Sequence, residues 1–205
     1  GQQGIQSGDG EGCDAQSADS VCTGKGPAMT ADNKVIQVRV NGEDVALPVG
    51  PRDFLLDALR RAGYTGVKRG CDTNECGMCT VLMDGEPVRS CQVRPTAAEG
   101  REILTIEGMG SPGDLHPIQA AFVESGAVQC GYCTPAQLLT AKALLDRNPD
   151  PSDDEIRDAL GGVLCRCTGY VRIVDAVHRA AEALQDRDPG KVQVIEKVLP
   201  EKLGD

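Results

Sequence analysis

Gly70-Cys71-Asp72-Thr73-Asn74-Glu75-Cys76-Gly77-Met78-Cys79-Thr80 sets three cysteines in the pattern C-x4-C-x2-C, and a fourth, Cys91, follows after eleven intervening residues. One tight loop can bring three thiolates round a metal centre while a neighbouring strand supplies the fourth. A centre held by four thiolates is anionic, so backbone N–H groups must turn towards its sulfurs. Gly70 and Gly77 let the loop take the backbone conformations this needs.

The spacing of Cys71, Cys76, Cys79 and Cys91 is that of a plant-type ferredoxin holding a [2Fe–2S] cluster. A four-cysteine zinc site is the competing reading, but zinc ribbons pair two short C-x2–4-C knuckles, which this run is not. A Rieske centre needs two histidine ligands, and His116 and His178 lie outside the cysteine groups.

The flanks of the loop read as a small sheet with one helix. Val35, Gln37 and Arg39 alternate with Ile36, Val38 and Val40, the period of a strand with one buried face. Asn41-Gly42 is a hairpin signal, and 45–49 is the return strand. Pro51 and Asp53 open a helix with Phe54, Leu55 and Leu59 inward, ended by Gly63 and Gly66. Asp84-Gly85 joins 80–83 to 88–90 in a second hairpin, and 103–107 alternate as one more strand.

Beyond the glycine-rich stretch 108–114 the pattern turns helical. His116-Pro117 opens a helix that ends near Ser125-Gly126. Thr134-Pro135 reads as an N-cap followed by proline at the first helical position, with Leu138, Leu139, Ala141 and Leu145 inward. Ser152 with Glu155 is a capping box, before Ile156, Ala159, Leu160 and Val163 at helical spacing. A last helix runs from about Tyr170 to Leu184. This half reads as a four-helix bundle. Gly108, Gly110 and Gly113 imitate a dinucleotide-binding run, but no βαβ unit follows and that reading is rejected.

A second cysteine group sits within the helices. Cys130-Gly131-Tyr132-Cys133 and Cys165-Arg166-Cys167 give C-x2-C and C-x-C with 31 residues between them. Residues two apart in an extended segment point the same way, so Cys165 and Cys167 are expected to face one centre. Cys133 precedes a helix N-terminus, whose dipole favours an anionic group. C-x2-C alone is a weak signal, open to a redox dithiol or half a zinc site; joined to C-x-C and the upstream quartet it is strong.

With these residues in place, 34 to about 184 resembles the small iron–sulfur subunit of the molybdenum hydroxylases, the xanthine dehydrogenase, aldehyde oxidoreductase and carbon monoxide dehydrogenase family. The resemblance lies in the loop 70–80, in 115–119, in Gly126-Ala127-Val128-Gln129-Cys130-Gly131-Tyr132-Cys133-Thr134-Pro135, and in Leu164-Cys165-Arg166-Cys167-Thr168-Gly169-Tyr170. It implies an α+β fold: an N-terminal β-grasp, plant-type ferredoxin-like domain over 34–107, a linker at 108–114, and a four-helix domain over 115–185. It implies two [2Fe–2S] clusters, on Cys71, Cys76, Cys79 and Cys91 and on Cys130, Cys133, Cys165 and Cys167. It also implies a large partner holding molybdopterin and a medium partner holding FAD. Electrons would pass from molybdenum to the helical-domain cluster, to the ferredoxin-like cluster, then to FAD or another acceptor. Gln129 would hydrogen-bond the pterin. The substrate chemistry lies on another chain, so no residue here is assigned as acid, base or nucleophile. Ala136 and Asn74-Glu75 depart from the family pattern without removing a ligand.

Composition limits the alternatives. With 21 Lys and Arg against 31 Asp and Glu the net charge is −10, which disfavours nucleic acid. No apolar run approaches the ~18 residues of a membrane span, and no signal segment opens the chain. A cytoplasmic protein is expected, the alternative being periplasmic or membrane-associated through partner chains. Residues 1–33, with five acids, one base, Cys13 and Cys22, read as a flexible extension whose cysteines hold no metal; 186–205 read as a polar tail. Two other classes compete with the subunit reading. A free-standing two-cluster ferredoxin would purify as a lone small species, and a zinc-stabilised interaction module would be colourless.

Overall fold

The computed structural model describes residues 34–186. The extension 1–33 with its two cysteines, and the tail beyond 186, lie outside the described residues.

The first half is a five-stranded mixed sheet of order β2-β1-β5-β3-β4, made of β1 (Lys34–Val40), β2 (Glu43–Val49), β3 (Thr80–Met83), β4 (Glu86–Arg89) and β5 (Glu102–Leu104). All neighbours are antiparallel except β1 and β5, which run parallel. Along β1, Ile36, Val38 and Val40 are buried and the residues between them exposed. That alternation fixes the register with β2, in which Val38 faces Val45 and Val40 faces Glu43.

Helix α1 (Leu55–Arg61) lies on this buried face, with Leu55, Leu56, Ala58 and Leu59 among Ile36, Val38, Leu47, Val81 and Ile103. The helix starts later than the sequence suggests. Asp53 belongs to the preceding turn, where its carboxylate accepts from the Gly50 N–H at 2.8 Å. Phe54 is the N-cap and only half-buried, with the Arg94 guanidinium 4.7 Å from its ring centre. The final strand is also shorter than 103–107. The Thr105 N–H donates to the Asn41 side-chain oxygen at 2.9 Å, and a 3-10 turn begins at Ile106.

Four helices follow: α2 (Pro117–Glu124), α3 (Thr134–Arg147), α4 (Asp153–Leu160) and α5 (Val171–Gln185). They enclose a second core that includes Ile118, Phe122, Leu139, Ile156, Ile173 and Val177. Helix α3 is buried along most of its length, because its other side rests on β3. Leu82 of β3 therefore belongs to the helical core, with Leu104 and Ile106 packed against it. The Ser152–Glu155 capping box forms as read: the Ser152 N–H donates to the Glu155 carboxylate at 2.8 Å and the Glu155 N–H to the Ser152 hydroxyl at 3.4 Å. At α3 the N-cap is Cys133 rather than Thr134, since the Gln137 N–H already bonds the Cys133 carbonyl at 3.0 Å. In the stretch 108–114, Met109 is buried, and a β-carbon at Gly108 would stand 2.5 Å from the Asn41 side chain.

Candidate metal centres

The first cysteine loop folds back on itself. Asn74 and Gly77 take positive φ (63° and 70°). At Gly77 a β-carbon would stand 2.0 Å from the Gly162 carbonyl oxygen, so only glycine fits where this loop meets the second. Gly70 is confined likewise: its β-carbon would stand 2.5 Å from the Met78 side chain.

Backbone N–H groups turn inward as an anionic centre requires. The Cys76 N–H, then the Cys76 thiol, and the Glu75 and Thr73 N–H groups pull the Cys71 thiol down to about 6. The Met78 N–H lies 3.5 Å from the Cys76 sulfur. Cys91 sits on the other flank, where burial, then the Cys79 thiol, pushes it up to about 12. Its position is set by buried Ser90, whose hydroxyl donates to the Cys79 carbonyl at 2.7 Å.

In the second group the Tyr132 N–H, followed by the Cys167 thiol, lowers Cys130. Burial, followed by the Cys165 thiol, pushes Cys133 up to about 12. At Cys165 burial acts upward, but hydrogen bonds from the Thr168 hydroxyl and from backbone N–H groups outweigh it and the thiol is lowered. The Thr168 hydroxyl lies 3.1 Å from the Cys165 sulfur. Cys167 is raised, chiefly through its contact with Cys130.

All eight sequence-predicted cysteines thus gather as two quartets, and none of them is in a disulfide. Within each quartet the thiols act on one another most strongly in two pairs: Cys71 with Cys76 and Cys79 with Cys91, then Cys130 with Cys167 and Cys133 with Cys165. Cys165 and Cys167 thus face the same quartet, as expected of a non-helical segment, but each pairs with a different thiol across it, the chain bending at 166–168. Among the described residues no three His, Cys, Asp or Glu side chains close on one point as a single metal ion would need. Two pairs of thiols suit a binuclear centre, in which each iron takes two cysteine sulfurs.

Several residues that hold the second loop carry no local sequence signal. The Tyr170 hydroxyl accepts from the Cys165 N–H at 2.7 Å and donates to the Val163 carbonyl at 3.3 Å. Buried Gln137 donates to the same carbonyl at 2.8 Å. The loops also touch directly, the Leu164 N–H donating to the Cys76 carbonyl at 2.9 Å. Gln129, next to Cys130, is exposed.

Residues 38–104 match the 2Fe-2S iron-sulfur cluster binding domain family, and residues 105–178 the [2Fe-2S] binding domain family. The nicotinate dehydrogenase small FeS subunit of Eubacterium barkeri is 50% identical over 152 residues, which are 73% of this chain and 97% of that one. The chain belongs to the iron–sulfur subunits of the molybdenum hydroxylase family. The crystal structure of quinoline 2-oxidoreductase from Pseudomonas putida 86 is similar at 44% identity and a TM-score of 0.72, over 76% of the subunit and 98% of the matched chain. The aldehyde oxidoreductase of Megalodesulfovibrio gigas is 45% identical over 156 residues, 74% of the iron–sulfur subunit but only 17% of that longer protein. The subunit is therefore an electron-transfer component of an oxidoreductase rather than a free-standing ferredoxin, with a 2Fe–2S ferredoxin-like part, a mixed sheet and five helices.

Proposed function

We propose that this chain relays electrons from a molybdopterin site on a large partner, through Cys130, Cys133, Cys165 and Cys167 and then Cys71, Cys76, Cys79 and Cys91, to FAD on a medium partner or to another acceptor. The observation that carries the direction is the unequal exposure of the two quartets. Cys130 and Cys167 are exposed, whereas Cys76 and Cys79 are buried and Cys71 and Cys91 half-buried. Val128, Tyr132 and Leu164, the exposed large apolar residues nearest the second quartet in sequence, flank its ligands. Apolar surface beside a redox centre suits a docked chain. Exposed Gln129 adjoins Cys130 and is the group we assign to the pterin.

When bound, a [2Fe–2S] cluster supplies a centre that takes up and releases one electron at a time. The chain's own residues do the rest. Eight thiolates hold the clusters, inward N–H groups favour their negative charge, and the Leu164 N–H to Cys76 carbonyl bond fixes one loop against the other.

The same reading divides the chain into a β-grasp ferredoxin-like domain at 34–107, a linker at 108–114 and a four-helix bundle at 115–185, with 1–33 and 186–205 outside both. Among the described residues no helix is long and apolar enough to cross a membrane, and we place the complex in the cytosol.

Replacing Cys91 by Ser tests the order. We expect the variant to lose the first cluster alone: substrate still reduces the second cluster, and turnover with the normal acceptor stops. Full turnover in that variant would overturn the order. Gln129→Ala is expected to keep both cluster signals while weakening molybdopterin retention; unchanged retention and activity would remove the role given to Gln129.

A further inference from the structure

Lys68 stands three residues before Cys71 and is half-buried. It is bonded to the inside of both C-x2-C loops at once. Its backbone N–H donates to the carbonyl of Met78, between Cys76 and Cys79, at 3.4 Å. Its ammonium group donates to the carbonyl of Gly131, between Cys130 and Cys133, at 3.3 Å. The same ammonium lies over the Tyr132 ring, 4.9 Å from its centre. The Tyr132 hydroxyl returns to the Arg69 carbonyl at 2.7 Å, so residues 68–69 and 131–132 are stapled together at both ends.

The partners of this ammonium are a carbonyl and a ring, and no carboxylate pairs with it among the described residues. By contrast, Arg69 beside it is paired with Asp57. Withdrawing a cation from water without an opposite charge is unfavourable, and a carbonyl and a π-face offset this only in part. The negative charge that would complete the arrangement is that of the clusters proposed on the two quartets, whose loops Lys68 joins. Positive charge and hydrogen bonding near a cluster raise its reduction potential, because reduction adds an electron to a centre already anionic.

Building on the two-cluster reading above, we propose that Lys68 is a positioning and redox-tuning residue. It clamps the two cysteine loops in register, and its charge favours the reduced form, most strongly at the second quartet whose loop the ammonium touches.

The test uses the intact complex, with potentiometric titration followed by paramagnetic resonance of both clusters and with iron assay. Lys68→Gln keeps a hydrogen-bond donor but removes the charge; Lys68→Arg keeps the charge. We expect Lys68→Gln to retain its iron and to shift the second-quartet signal to a more negative potential, with Lys68→Arg close to the unaltered protein. An unshifted Lys68→Gln, or a Lys68→Arg shifted equally far, would overturn the proposal. If Lys68→Gln sheds iron, Lys68→Met is added. Loss in both uncharged variants with retention in Lys68→Arg supports the role of the charge, and loss in Lys68→Arg too refutes it. A shortage of iron in the unaltered complex would instead fail the two-cluster reading itself.

Discussion

Tyr170 holds a left-handed backbone conformation, φ 69°, which costs a residue with a side chain about 1–2 kcal/mol. Its return is the pair of hydrogen bonds that set the Cys165 loop, together with its own N–H bonded to the Thr168 hydroxyl at 3.2 Å. Tyr170→Phe leaves the Cys165 N–H without its partner, a loss of about 1–3 kcal/mol. We expect chelators to strip iron faster from the second quartet of that variant, with the first quartet unaffected; equal rates at both would deny Tyr170 its part. The cysteines themselves should differ in the metal-free chain. With its thiol drawn to about 6, Cys71 is largely thiolate at neutral pH, whereas Cys133, raised to about 12, is not. Alkylation at Cys71 should therefore accelerate between pH 5 and 7 and then level off. Mass spectrometry showing Cys133 modified as fast as Cys71 at pH 7 would contradict this.

Among the elements, those governed by near neighbours were legible and those governed by distant ones were not. Both hairpin turns follow from their dipeptides: Asn41-Gly42 and Asp84-Gly85 carry positive φ at each residue (54° and 84°, 53° and 84°), the backbone of a type I′ turn. Helix α4 announces its start through Ser152 and Glu155. Removing that cap in Ser152→Ala should cost about 1 kcal/mol and lower the melting temperature by about 2–4 °C; an unchanged melting curve would show that tertiary packing alone holds α4. Strand β5, in contrast, looks longer in the sequence than it is. Alternation from Ile103 to Glu107 cannot reveal that Asn41 will take the Thr105 N–H from across the fold. The cysteine spacing grouped the thiols that gather in each quartet, and the bend that sends Cys165 to Cys133 and Cys167 to Cys130 is held by Thr168 and Tyr170 close by in sequence, through side-chain bonds that no periodicity announces. Lys68 was invisible because its ammonium acts on a residue 63 positions away.

At the scale of the whole molecule the two large apolar cores among the described residues lie between the sheet and α1 and among the helices, beside a small cluster of Cys133, Ala136 and Val163, and the helical core borrows Leu82, Leu104 and Ile106 from the first half. Apolar contact continues across the seam where α3 lies on β3. A fragment of residues 34–107 would present those three side chains to water. We expect it to self-associate, and Leu82→Lys in the fragment to reduce the association; a monomeric unaltered fragment by sedimentation would show that the seam contributes little.

The seating of Leu82 among the helices bears on how such subunits can be recombined. Two halves that share side chains cannot be exchanged freely between relatives by a crossover at residues 108–114. A hybrid joining the sheet of one parent to the helices of another would meet a mismatched socket at position 82. Viable shuffling must either transplant both halves as a block or carry the socket's lining along with its occupant.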